Sequence, residues 1–175
     1  MKAWNVAVAL GVAAALGCGA TATKVVTHEK FDPAAARYIV DEGPHTISGQ
    51  SFLRQVNGEI RTCAGYQVSL TPVTTYAAER MRIIYGSDSS GYRDLGFLKR
   101  QEPATTDLDY MRYARATLCD AAGNFEFTKV ADGSYYVITA VVWGTGQPYT
   151  PPQGGYMLRR VTAGPSSTKL IITRQ

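Results

Sequence analysis

The chain has 175 residues, 45% hydrophobic and 18% charged, which is enough for one globular domain with a real core. Its net charge of +4 is scattered, and the densest basic spots are the pairs Lys99-Arg100 and Arg159-Arg160. That lacks the basic stripe of a nucleic-acid binder and excludes nucleic acid as a partner.

The first residues read as an export signal. Met1-Lys2 carries the charge, and an apolar stretch follows from about Trp4 to Leu16. It is shorter than the roughly 20 residues a membrane-spanning helix needs, but it suits the apolar region of a signal peptide. Residues 1–17 therefore read as a signal peptide. "ALGC" sets Gly17 directly before Cys18 and resembles the bacterial lipobox, with Ala15 where that pattern favours Leu. The resemblance implies a lipid on Cys18 and a membrane-anchored protein of the cell envelope, facing the periplasm or the cell surface. The rival is Ala20-Thr21-Ala22, an ordinary cleavage site that discards Cys18 and leaves a soluble secreted chain. Either route leaves two cysteines, Cys63 and Cys119, to pair as a disulfide in an oxidising compartment.

Residues 18–43 have no sustained period and read as a tether, with at most one helical turn after Asp32-Pro33. The domain proper is placed at 44–175. "HTISGQSFLRQV" reads as a first strand, and Asn57-Gly58 as a turn. Tyr66, Val68 and Leu70 alternate with Gln67, Ser69 and Thr71, the period of a strand with one apolar face. Ala77 to Met81 are good helix formers, with Thr74 or Thr75 as a cap and Gly86 as a stop. Residues 87–109 are polar and irregular, a loop long enough to be functional or mobile. "YMRYARATLCD" and "GNFEFTKV" return to strand. "SYYVITAVVWG" is rich in β-branched and aromatic residues and reads as a central strand buried on both faces. "YMLRRVTAG" and "TKLIITRQ" complete about seven strands and one short helix, an all-β antiparallel sandwich.

The stretch "DAAGNFEFTKVADGSYYV", from Asp120 to Val137, says more. A turn at Asp120 to Gly123 precedes a strand with Phe125 and Phe127 on one face. A second turn, Val130 to Gly133, leads to Tyr135 and Val137. This resembles the D-x-x-G-x-F-x-F … G-x-Y-x-V pattern of carboxypeptidase regulatory-like domains, with Ala131-Asp132 where that family often carries Pro. The resemblance implies a prealbumin-like sandwich, with this stretch as its core-forming hairpin. Each motif residue also has a folding explanation: Gly for positive φ, aromatics to fill the space between sheets, Asp120 to bond its own turn.

Enzymes of related fold set a test. The chain lacks the several His residues and the C-terminal Tyr-Arg-Gly-Ser of hydroxyisourate hydrolases. Intradiol dioxygenases hold iron with two Tyr and two His, and here His45 stands alone, because His28 falls in the expected tether. There is no G-x-S-x-G elbow. The sequence assigns no catalytic residue, no metal and no cofactor. Two readings remain. One is a non-catalytic envelope lipoprotein acting as a structural or protein-interaction module that contacts other envelope proteins. The other is a carbohydrate- or peptide-binding module, in which Trp143, Tyr149 and Tyr156 on a Pro-stiffened loop form an aromatic platform. Trp is highly buried on average, so Trp143 also reads as the end of the core strand packed inside, with Tyr149 as the surface residue.

Overall fold

The computed structural model describes residues 22–96, 100–144, 146, 150–164 and 168–174, with the backbone alone at Thr168. The elements in chain order are β1 (Ala22–Val25), α1 (Pro33–Ala36), a 3-10 turn (Arg37–Ile39), β2 (Glu42–Arg54), β3 (Ile60–Thr62), β4 (Gln67–Pro72), α2 (Thr75–Tyr85), β5 (Ser90–Asp94), β6 (Arg100–Pro103), α3 (Leu108–Arg112), β7 (Arg115–Leu118), β8 (Asn124–Val130), β9 (Gly133–Trp143), β10 (Gln153–Ala163) and β11 (Thr168–Ile172). The fold is an all-β sandwich, as the alternation predicted. Among the described residues, eleven strands and three α-helices stand where about seven strands and one helix were expected.

One sheet has the order β5-β10-β9-β4-β7, and β9 lies at its centre as predicted. The second is built on the 13-residue β2, which pairs with β3, β8 and β11. Strand alternation sends Ile47 and Leu53 of β2, Phe125 and Phe127 of β8, and Val137 and Val141 of β9 into one core between the sheets. Each such side chain contributes roughly 1.5–3 kcal/mol by leaving water. Pairing is not wholly antiparallel: β11 runs parallel to β2, and β1 parallel to β6.

Within the motif stretch the side-chain directions are as predicted. Phe125, Phe127, Tyr135 and Val137 are all buried and Glu126 is exposed. The expected hairpin is not formed. β8 pairs with β2, whereas β9 pairs with β10 and β4, so the Val130–Gly133 turn carries the chain from one sheet to the other. Both strands put aromatics toward the same core, and two facing sheets satisfy that pattern better than one ladder.

Helix α2 begins and ends as its sequence dictates. Thr74 Oγ1 accepts from Ala77 N at 3.1 Å, and Gly86 closes the helix at φ 76°. The irregular region 87–109 holds β5, β6 and the start of α3. Asp107 caps α3, accepting from Asp109 N at 2.8 Å. Together α2 and α3 cover the outer face of the five-stranded sheet through Tyr76, Ala77, Met81 and Tyr110, packed on Tyr136 and Leu158.

The tether expected over 18–43 requires correction from Ala22 onward. β1 pairs with β6, and the backbone N–H groups of His28 and Glu29 donate to the Glu79 carboxylate. Phe31 meets Tyr110 edge to face at 5.7 Å, and Ile39 is buried in the core between the sheets. Tyr38 accepts from Val73 N at 2.9 Å. Few apolar residues suffice to dock such a segment when each finds a preformed aromatic or strand edge. Residues 18–21 lie outside the described residues.

Candidate binding groove on the helical face

Parity along the sheet decides which side chains meet outside the core. Tyr156 on β10 lies opposite Ala140 of β9 and Arg93 of β5, so all three share the outer face. Ser69 and Thr71 of β4 and Ile138 of β9 lie on that same face. From α2, Arg80, Met81, Ile84 and Tyr85 reach it at helical i, i+1, i+4, i+5 spacing. Tyr110 and Met111 of α3 close the other side. The result is a groove of about 280 Å³, floored by strand hydroxyls and walled by aromatic and apolar side chains.

The chemistry of the lining is cationic and aromatic. Arg80 is a buried residue at 8% exposure. Its guanidinium lies 5.5 Å from the ring centre of Tyr76 and 5.2 Å from that of Tyr110. Nη1 donates to the Thr105 carbonyl at 3.0 Å, and Nε has no hydrogen-bond partner among the described residues. Arg93 pairs with Glu102, which is also held by Lys24 at 2.9 Å. Hydrogen bonds from Lys24 and then Arg93 keep the Glu102 carboxyl below its ordinary range. Burial pushes the Tyr85 and Tyr110 phenols above their ordinary value, so both stay neutral near pH 7.

A wider depression of about 540 Å³ lies along Ser48, Asp120, Asn124, Glu126 and Lys169. Its Asp120 carboxylate is already committed to the turn, accepting from the Ala122 and Asn124 backbone N–H groups at 2.9 and 2.8 Å. Its one aromatic lining residue among the described residues is the buried Phe125, against Tyr85, Tyr110 and Tyr156 in the groove.

The sequence-predicted residues fall into three places. Cys63 and Cys119 form the expected disulfide, with Cα atoms 5.7 Å apart. Trp143 and Tyr156 do not form one platform. Trp143 shares the inner face with Val141, packs against the core and donates Nε1–H to Gln153 Oε1 at 3.2 Å, whereas Tyr156 points outward into the groove. Strand β9 continues through Trp143 and fixes its side, which bears out the reading of Trp143 as the end of the core strand packed inside. Tyr149 and Cys18 lie outside the described residues. Arg80, Arg93, Tyr85 and Tyr110 were not singled out from the sequence. A usable signal existed: Tyr76, Arg80 and Ile84 repeat every four residues on the predicted helix, and Arg93 lies in the long segment 87–109 read as functional or mobile.

No protein-family model and no curated protein matches this chain. In fold it is similar to the crystal structure of a "putative carbohydrate binding protein" from Pseudomonas aeruginosa, with a TM-score of 0.69 and 22% identity. The match covers 83% of this chain and 99% of that one. At that identity the likeness is one of fold, an all-β sandwich with antiparallel sheets.

Proposed function

We propose that the protein is a non-catalytic carbohydrate-binding module of the cell envelope, resembling carboxypeptidase regulatory-like domains and held at a membrane through a lipid on Cys18. The observation that carries the reading is the groove itself. Tyr156 is 43% exposed there, an aromatic face beside the hydroxyls of Ser69 and Thr71. A sugar ring offers an apolar face to stack on such a phenol and equatorial hydroxyls to bond its polar neighbours. The similarity of fold to a protein described as carbohydrate binding supports the same choice. The disulfide supports an oxidising compartment. The "ALGC" segment supports the anchor.

Tyr156→Ala tests the site. Loss of one stacking face worth about 0.5–1.5 kcal/mol weakens binding by up to roughly tenfold. The expected result is that loss on a panel of immobilised oligosaccharides, with an unchanged melting temperature because Tyr156 is half exposed. Equal binding by the variant, or no binding of any glycan by the parent protein, returns the molecule to the other reading, a structural or protein-interaction module contacting envelope proteins. Intact mass of the mature protein tests the anchor. A diacylglyceryl-modified Cys18 terminus is expected, and a mature chain starting at Thr23 defeats it.

A further inference from the structure

Arg80 presents a problem of charge. Arginine does not give up its proton in a protein, so burial leaves it a cation. A buried cation is ordinarily paired with a carboxylate, because desolvation is costly and only opposite charge offsets it fully. All fourteen Asp and Glu of the chain lie among the described residues, and none forms an ion pair with Arg80. Its partners are two aromatic faces, the Thr105 carbonyl and the Tyr76 hydroxyl at 3.5 Å. The neighbouring phenols add no negative charge, since burial keeps Tyr85 and Tyr110 protonated.

The groove sharpens this. Its lining has two guanidinium groups, Arg80 and Arg93, and no carboxylate. Arg93 is largely buried, at 19% side-chain exposure, and shares its one acid, Glu102, with Lys24. Local charge is therefore positive, in a cleft with apolar walls where opposite charge is attracted more strongly than in water. A carboxylate accepts charge-assisted hydrogen bonds from guanidinium groups in a geometry that neutral hydroxyls do not match.

We propose that the groove selects an acidic saccharide, a uronic-acid-containing glycan whose carboxylate lies against Arg80 and Arg93 while its ring stacks on Tyr156. This rests on the carbohydrate-binding reading and adds the charge of the ligand. A saccharide is favoured over an acidic peptide because the Tyr156 ring and the Ser69 and Thr71 hydroxyls suit a polyhydroxylated ring.

The test uses calorimetric titration of the mature protein with an oligogalacturonate, its fully methyl-esterified counterpart of equal length, neutral cello- and chito-oligosaccharides, and tetraglutamate. The expected result is binding of the acid at least tenfold tighter than of the ester, an advantage that narrows as salt is raised. Arg93→Gln and Arg80→Gln are each expected to erase most of that advantage while leaving the weak binding of the ester. Should Arg80→Gln fail to fold, Arg93→Gln at the groove wall decides the question alone. Equal affinity for acid and ester overturns the acidic selection and leaves a neutral carbohydrate site standing. Binding of tetraglutamate as tight as that of the acid overturns the saccharide assignment. No binding of any saccharide overturns this proposal together with the reading on which it rests.

Discussion

A variant lacking the disulfide, Cys63→Ala with Cys119→Ala, is expected to lose about 4 kcal/mol of stability and to melt roughly 10 °C lower. The cysteines are 56 residues apart, and a cross-link across a loop of that length removes a large share of the conformational freedom of the unfolded chain. The native ends are already well placed. Cys63 N donates to Ser51 O of β2 at 3.1 Å, Gly65 N to Cys119 O at 3.1 Å and Cys119 N to Tyr66 O at 3.0 Å. The bridge thus joins the end of β3, in one sheet, to the end of β7, an edge strand of the other. Both cysteines are buried in the core between the sheets, so Ala leaves a small cavity as well. The groove lies on the opposite face of the five-stranded sheet, and ligand affinity below the melting transition is expected to stay within twofold of the parent. Chemical denaturation of oxidised, reduced and substituted protein measures the effect. A loss under 1 kcal/mol would show that the hydrogen bonds around the bridge hold the edges together without it.

The contrast between these two faces also explains what was legible in the sequence. Inner-face positions repeat every second residue over long strands, so Phe125, Phe127, Tyr135 and Val137 could be placed from pattern alone, and each is buried. Which strands pair was not legible, because two Gly turns flank an arch between sheets as readily as a hairpin. Helix α2 was legible through its Thr74 cap and Gly86 stop. α3 was not: five residues give too short a period, and only its Asp107 cap marks it. The groove was least legible, since it joins residues from β4 to β10 that are close only after the helices fold onto the sheet. Tyr156 alone was named in advance, for its place in an aromatic loop. Its partners required the cross-strand register, in which Arg93 lies directly beside it.

That register hangs on a glycine at the start of β10, and Gly154→Ala is expected to disrupt it. Gly154 lies opposite Val142, with φ +98°, a conformation that side chains rarely adopt. A Cβ there would sit 2.0 Å from the Val141 carbonyl oxygen and 2.9 Å from Cζ3 of Trp143. The carbonyl is backbone at the end of the central strand, and the indole is held by the core and by Gln153, so neither can move cheaply. The first residues of β10 must therefore lift from β9. Strain at such a φ and the broken ladder together are expected to cost 3 kcal/mol or more, seen as a fall of roughly 6–12 °C in melting temperature. Gly144→Ala is the control, because a Cβ there meets none of the described residues within 4 Å, and its expected change is under about 0.5 kcal/mol. The two variants also separate folding from recognition. Lifting β10 displaces Tyr156 from Arg93, so Gly154→Ala is expected to weaken glycan binding and lower the melting temperature together, whereas Tyr156→Ala weakens binding alone. If Gly154→Ala melts like the parent protein, β10 is not seated on β9 at Gly154, and the floor of the groove beside Tyr156 is not the rigid surface that selection of a sugar ring requires.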